Sequence, residues 1–179
     1  MIVAGLGGGE GVRLVLESEE AMLLSELADQ VDSVLLLGEP SDPALGRLLP
    51  SAYPDDAEAS AEFNRYTRES LVDGKRQAAQ RVRDATAVTG TGDGVVQIEL
   101  DQSEAWGWLT FLTDLRLILA ERVGAADDLD ELDLDTVDAD GDDDEDDASE
   151  TRDDYLRAAY EWAGFVQGSM LEVLDPTDR

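Results

Sequence analysis

Apolar residues along the chain follow two periods. Gly11-Val-Arg-Leu-Val-Leu-Glu17 and Gly94-Val-Val-Gln-Ile-Glu-Leu100 are short, apolar and rich in β-branched side chains, and they are predicted as strands. Elsewhere the spacing is helical. Leu23, Leu24, Leu27, Val31, Val34 and Leu35 mark a first helix, which Ser18 is expected to cap, with Glu19 and Glu20 in its first turn and Gly38 and Pro40 as its stop. Asp42-Pro43 opens a short second helix carrying Leu45, Leu48 and Leu49 and ending at Pro50. Asp55 and Asp56 open a third, with Phe63, Tyr66 and Leu71 as its apolar stripe. Gly74 is a break or a continuation before Lys75–Arg83, where Ala78, Val82 and Ala85 form a thin apolar face on a partly exposed helix. The next helix, Gln102 to Val123, is apolar nearly all round (Trp106, Trp108, Leu109, Phe111, Leu112, Leu115, Leu117, Ile118, Leu119) and is expected at the centre of the core. The last, Arg152 to Leu174, uses Leu156, Ala159, Trp162, Ala163, Val166, Met170 and Leu174, with Gly164 and Gly168 placed for close packing. The expected fold is α+β, mostly α: a bundle of about six helices with a small two-stranded sheet.

Two local features refine this pattern. Gly5 to Gly11 hold five glycines, read as a flexible entry. Their spacing fails the dinucleotide fingerprint, and they precede a strand where a phosphate loop would follow one. A strand–acid–helix succession also recurs, as Leu14-Val-Leu-Glu-Ser-Glu-Glu-Ala21 and Ile98-Glu-Leu-Asp-Gln-Ser-Glu-Ala105. Asp101 with Glu104 approximates a capping box, and turn chemistry common to strand-to-helix junctions accounts for the echo.

Composition narrows the chemistry. The 179 residues carry 43 Asp and Glu against 13 Lys and Arg, no His and no Cys, for a formal net charge of −30. At 42% hydrophobic and a mean hydropathy of −0.28, the chain can bury a core. Lacking Cys and His, it has no disulfide framework, thiol nucleophile, zinc knuckle, imidazole base or Ser-His-Asp triad. Phosphate neutralisation needs a basic face, so direct nucleic-acid binding is not expected. No run approaches the roughly 20 apolar residues of a membrane span and no secretory signal is evident, so a cytoplasmic location without membrane partners is expected. Lys75 stands alone beside twelve Arg, which fits GC-rich coding bias or halophilic surface chemistry equally.

The charge is unevenly distributed. Residues 127–154 hold 14 Asp and 3 Glu against Arg152, a net of −16. Such a block repels itself. The expected organisation is one helical domain from 1–126 and 152–175, with 127–151 as an acidic disordered linker before the last helix. A calcium loop centred on Gly141 is a poor fit, with Asp138 and Asp140 in place but Thr136 at position one, Asp147 at position twelve and Asp143 at the apolar eighth position. Conversely, Arg65, Arg68, Lys75, Arg76, Arg81 and Arg83 face only Glu69 and Asp73 within nineteen residues, a local net of +4. This stretch is either a solvated helix face with local pairs such as Arg65–Glu69, or a dock for an anion: a phosphorylated small molecule, an acidic partner, or the chain's own acidic segment.

Catalytic groups are limited to carboxylates, hydroxyls, Arg and one Lys. Glu17/Glu20 and Glu26/Asp29 have the spacings of Mg²⁺-holding pairs in helical pyrophosphohydrolases, but they lie too close together to face one another across a bundle. No pair is nominated for two-carboxylate glycosidase chemistry. Asp114 and Arg116 sit in the most apolar helix two residues apart, so they point to different sides and each needs its own partner or a solvent edge. Core ion pairs fixing helix register are the plain explanation, and they are also candidate binding positions.

Several segments together resemble a known family. They are Arg13-Leu-Val-Leu-Glu17, Asp42-Pro-Ala-Leu-Gly-Arg-Leu-Leu-Pro50 with Tyr53 and Asp55-Asp56, and Glu62-Phe63 with Arg65, Thr67, Leu71 and Lys75. Trp106 with Leu109, Asp114-Leu-Arg-Leu-Ile-Leu119, and Tyr160-Glu-Trp162 with Gln167 complete the set. The chain is similar in these to an actinobacterial family of small acidic proteins built on a domain of unknown function, often encoded next to ClpS-type protease adaptors. The resemblance implies a cytoplasmic bacterial protein without an established activity, in a family whose members are sometimes labelled transcriptional regulators.

The expected function is a non-enzymatic protein-interaction or regulatory module with a protein partner, no cofactor, and a possible place in regulated proteolysis. Its binding residues would be Arg65, Arg68, Lys75 and Arg76, with Asp114 and Arg116. Three alternatives stand beside it: a carboxylate/Mg²⁺ enzyme of nucleotide or phosphate chemistry, a transcriptional regulator acting without direct DNA contact, and an acidic mimic of nucleic acid.

Overall fold

The computed structural model describes residues 1–7, 11–87, 94–132 and 143–175, with backbone alone for 125–132 and 143–150. The elements in chain order are β1 (Ile2–Gly5), β2 (Gly11–Glu17), α1 (Ser18–Leu37), α2 (Pro43–Leu48), α3 (Ala57–Ala87), β3 (Val95–Asp101), α4 (Gln102–Leu132) and α5 (Asp143–Leu174). The fold is thus mostly helical α+β, as expected, with two differences in count. The described residues form five helices and three strands rather than six and two.

Both differences have local causes. The glycine-rich entry is the connection of a hairpin: Ile2 pairs with Val15 and Gly5 with Val12, antiparallel, and the Leu6 N–H donates to the Gly11 carbonyl at 3.0 Å. Only three residues of β1 precede the first glycine, Gly5, too few to register as an alternating strand. Gly74 is a continuation. The two helices expected on either side of it are one 31-residue helix, because a single glycine costs an exposed helix only about 1 kcal/mol and the residues beyond it pack on the core.

Strands β2 and β3 pair antiparallel from Gly11–Asp101 to Glu17–Val95, giving the sheet order β1-β2-β3. Val12, Leu14 and Leu16 of β2 and Val96, Ile98 and Leu100 of β3 face the helices and are buried. The alternate residues face outward, where Arg13 is bonded across the strands to its register partner Glu99 at 2.7 Å. This period-2 division makes a one-sided sheet.

Each inner strand feeds a helix through reciprocal capping. The Glu17 N–H donates to Glu20 at 2.9 Å, so Glu17, not Ser18, is the N-cap of α1. The Asp101 N–H donates to Glu104 at 2.9 Å while the Glu104 N–H donates to Asp101 at 2.8 Å. These are the capping-box bonds that satisfy otherwise orphaned amides, and they explain the sequence echo. Asp42 caps α2 through the Ala44 N–H and accepts from Arg122 of α4 at 2.7 Å. Asp56 caps α3 by accepting from the Ala59 N–H at 2.9 Å.

Helix α4 is central, packing against all four other helices and against β2 and β3. Its Ala105, Trp108, Leu109, Phe111, Leu112, Leu115, Ile118 and Leu119 are buried, whereas Trp106 and Leu117 are exposed. Helix α5 lays Ala159, Ala163, Val166 and Met170 on α4 and the first two strands. Helix α4 runs nine residues past the expected end at Val123, and α5 starts nine before the expected Arg152. The apolar stripe records where a helix meets the core, not where its backbone ends. Thr136, Asp138, Asp140 and Gly141 of the calcium-loop alignment lie outside the described residues, as does the centre of the expected linker, 133–142.

Candidate functional site

The cations of α3 divide along the helix. Lys75, just past Gly74, donates from Nζ to Asp114 Oδ1 of α4 at 2.5 Å. The Asp114 side chain is 5% exposed and that of Lys75 20%. Asp114 Oδ2 is buried without a hydrogen-bond partner. Burial pushes the Asp114 carboxyl above its ordinary range, and the Lys75 ammonium pulls only partly the other way. Lys75 could take an external anion only by leaving this buried carboxylate unpaired.

Two further cations tie α3 to α1. Arg76 Nε donates to Asp32 at 2.7 Å, and Arg83 Nη1 donates to Asp29 at 2.7 Å. The order of these pairs, rising on α3 while falling on α1, means the two helices run antiparallel. Ala79, Val82 and Thr86 are buried between them, with the Thr86 hydroxyl returned to the Val82 carbonyl at 2.9 Å. Asp29 also holds the Arg83 guanidinium charged, raising its already high pKa.

Arg116 makes a separate cluster on the other side of α4. Its Nη1 donates to Gln167 Oε1 at 2.9 Å and its Nη2 to the Tyr160 hydroxyl at 3.1 Å, with Cζ 4.9 Å from the Tyr160 ring centroid. Gln167 in turn donates to Thr113 Oγ1 at 2.8 Å. Gly164 makes room for this guanidinium: a Cβ there would stand 3.4 Å from Arg116 Nε. The close approach expected at Gly164 is therefore by a side chain, and Gly168 faces open space. As expected, Asp114 and Arg116 do not pair with each other. Arg116 Nε is buried without a hydrogen-bond partner, so this cation is met by neutral groups among the described residues.

Arg65, Arg68 and Arg81 remain on the surface. Arg65 lies over Tyr66, with Cζ 4.7 Å from the ring centroid and a hydrogen bond to the hydroxyl, rather than pairing with Glu69. Arg68 and Arg81 form no ion pair among the described residues. The first half of α3 buries only Ser60, whose hydroxyl donates to the Tyr53 carbonyl at 2.6 Å. Phe63, Tyr66 and Leu71, the expected apolar stripe, are 38%, 68% and 46% exposed. Their stripe is real but faces away from the core, with Tyr53 packed edge-on to Phe63 at 6.1 Å between centroids.

All six cations of the basic stretch lie on α3, and the sequence did not reveal the carboxylates that hold Lys75, Arg76 and Arg83. Asp29 stood out only beside Glu26 in an Mg²⁺-type spacing, Asp32 not at all, and Tyr160 and Gln167 only as part of the family resemblance. No set of three or more carboxylates among the described residues is close enough to hold a metal ion. No helix among those residues is long and apolar enough to cross a membrane.

A family model described as Domain of unknown function (DUF2017) matches residues 6–174, and the chain belongs to this family. Relatives from Mycobacterium bovis and two strains of Mycobacterium tuberculosis, each called oxidative stress regulator AosR, are 37% identical to it over 93 residues. That stretch covers 45% of this chain and 40% of each relative, so the chain matches well under half the length of these curated proteins. No solved structure matches the chain. The expected actinobacterial domain-of-unknown-function family is therefore found.

Proposed function

We propose that the chain is a non-enzymatic regulatory module that acts by protein contact, and that the outer half of α3 is its contact surface. The observation that carries this reading is the aromatic and cationic stripe of Tyr53, Phe63, Arg65, Tyr66, Arg68 and Leu71, held outward on a helix that is anchored elsewhere. Exposed Tyr and Arg side chains are the types that dominate binding energy at protein interfaces. A face carrying two unneutralised guanidinium groups on a chain of net −30 suits an acidic partner surface. Arg65 and Arg68 are the proposed anion contacts. Lys75, Arg76, Asp114 and Arg116 are proposed to set the geometry that presents them.

The name of the mycobacterial relatives supports a regulatory role. The 179 residues hold no thiol, so a response to oxidation here would be relayed by a partner rather than read by a cysteine of this stretch. Regulation of transcription without direct DNA contact is compatible with the same surface and with the overall charge.

The test is capture of partners by the whole chain at physiological salt, together with calorimetry against a ClpS-type adaptor, the candidate that the family resemblance suggests. A double variant, Arg65→Gln with Arg68→Gln, is expected to lose the bound partner at unchanged melting temperature. Retention of every partner by that variant would remove the reading.

A further inference from the structure

Among the described residues no strand pairs with the outer edge of β3 at Gln97 and Glu99, and a cavity opens beside it. The Ser18 N–H donates to the Gly94 carbonyl at 2.9 Å, which fixes the parity of the β2–β3 ladder. Hydrogen-bonded pairs therefore fall at Val96, Ile98 and Leu100 of β3, whose amides and carbonyls point to β2. Those of Gln97 and Glu99 point the other way. The Asp101 N–H, of the same parity, confirms the direction by reaching out of the sheet to Glu104. Strand β3 closes the order β1-β2-β3, and Gln97 and Glu99 are exposed.

Along this edge lies a cavity of about 240 Å³ between β3, the last turns of α3 and the first turns of α4. Its floor is Ile98, Leu100 and the buried Trp108, and its rim is Arg81, Asp84, Glu99 and Glu104. The volume is below the roughly 300 Å³ at which sites for whole small-molecule ligands begin. It is of a size for side chains.

We infer that this edge accepts an extended segment of a partner protein as a fourth strand, with alternating apolar and basic residues. A strand paired to β3 must turn its side chains to the same faces as their register partners. Residues opposite Ile98 and Leu100 enter the cavity and must be apolar. Residues opposite Gln97 and Glu99 lie on the open face, and the rim carries three carboxylates, of which Glu99 is already bonded to Arg13, against one guanidinium. Lys or Arg fits there, and the chain's net charge of −30 favours such a segment over a second copy of itself. Main-chain bonds supply affinity and the cavity supplies selectivity, the division of labour of strand addition. This inference rests on reading the chain as an interaction module but uses a different surface from the outer half of α3.

The experiment uses the full chain and a synthetic peptide, acetyl-Lys-Val-Lys-Leu-Lys-Val-Lys-amide, with a second peptide carrying Glu in place of every Lys. Because any cationic peptide is drawn to so acidic a protein, the readout is residue-resolved amide exchange by NMR. The Gln97 and Glu99 amides are expected to exchange freely in the free chain and to slow at least about tenfold with saturating basic peptide, while the acidic peptide leaves them unchanged. Gln97→Pro removes one outward N–H without touching the ladder, and Gly107→Leu extends a side chain from the cavity wall, where its Cβ would stand 3.9 Å from Arg81 Nη1. Each is expected to weaken the basic peptide about tenfold, equivalent to roughly 1.4 kcal/mol. Arg65→Gln with Arg68→Gln is expected to leave peptide binding intact, so a failure of the α3 reading and a failure here are told apart. Unprotected Gln97 and Glu99 amides in the basic-peptide complex would overturn the inference. So would equal protection by the acidic peptide, or a free chain that sediments as a dimer with both amides already protected.

Discussion

The two halves of α3 carry the same kinds of side chain and put them to opposite uses. Beyond Gly74, Lys75, Arg76 and Arg83 meet carboxylates from α1 and α4, with Arg81 left on the surface, while Ala79, Val82 and Thr86 fill the space between helices. Before Gly74, Arg65 and Arg68 find no acid among the described residues, and three large apolar residues stand in solvent. The difference lies in what the neighbouring helices offer, since local propensity is similar on both sides. A basic stretch thus has no single meaning: one helix contains a set of internal fasteners and a free surface.

The largest effect that could break this contrast is loss of the innermost fastener. Asp114→Ala leaves the Lys75 ammonium half-buried without its counter-charge, and urea unfolding at pH 7 is expected to show a loss of about 3 kcal/mol. Pairing Asp114→Leu with Lys75→Met is expected to recover most of it, because an apolar pair needs no desolvation of charge. An undiminished single variant would mean that the inner half is not fastened by this pair. The pH dependence sharpens the same point. The Asp114 carboxyl titrates above its ordinary value of 3.8, so the proton-linked part of its contribution is fully present below that value and is lost as pH rises through the raised pKa, while the bond to Lys75 remains. The advantage of the wild type over Asp114→Asn is therefore expected to shrink as pH rises above 3.8, measured by urea unfolding at successive pH values.

Smaller effects follow at the junction and at the two ends. Gly74→Ala has open space for its Cβ and lies within a continuous helix, so a gain of about 0.5–1 kcal/mol is expected in thermal unfolding. A loss would show that the helix breaks there. Arg76→Gln removes a partly exposed pair with Asp32 and is expected to cost a few tenths of a kcal/mol, fading as salt is raised. Phe63→Ser and Tyr66→Ser are expected to change stability by less than about 0.5 kcal/mol while abolishing partner capture, because neither ring is part of the core.

Much of this architecture was legible in the sequence for physical reasons. The core positions of α1 and α4 repeat at helical spacing, β2 and β3 carry β-branched runs, and Asp42, Asp56 and Asp101 announce helix starts through chemistry that is local to a few residues. What escaped was whatever depends on distance along the chain or on very short segments. Strand β1 has three residues before its first glycine, and its pairing is visible only once β2 is beside it. The outward turn of Phe63, Tyr66 and Leu71 could not be read, since a period gives a stripe but not the side on which the core lies. The partners of Lys75, Arg76 and Arg83 lie 39, 44 and 54 residues away, beyond any spacing rule.

Hydrogen exchange along α3 in the intact chain, followed by mass spectrometry with peptides that resolve 57–74 from 75–87, tests the central division most directly. The inner half is expected to hold its amides far longer than the outer half, with Asp114→Ala shortening that protection selectively. Uniform protection along the whole helix, unchanged in Asp114→Ala, would contradict the account.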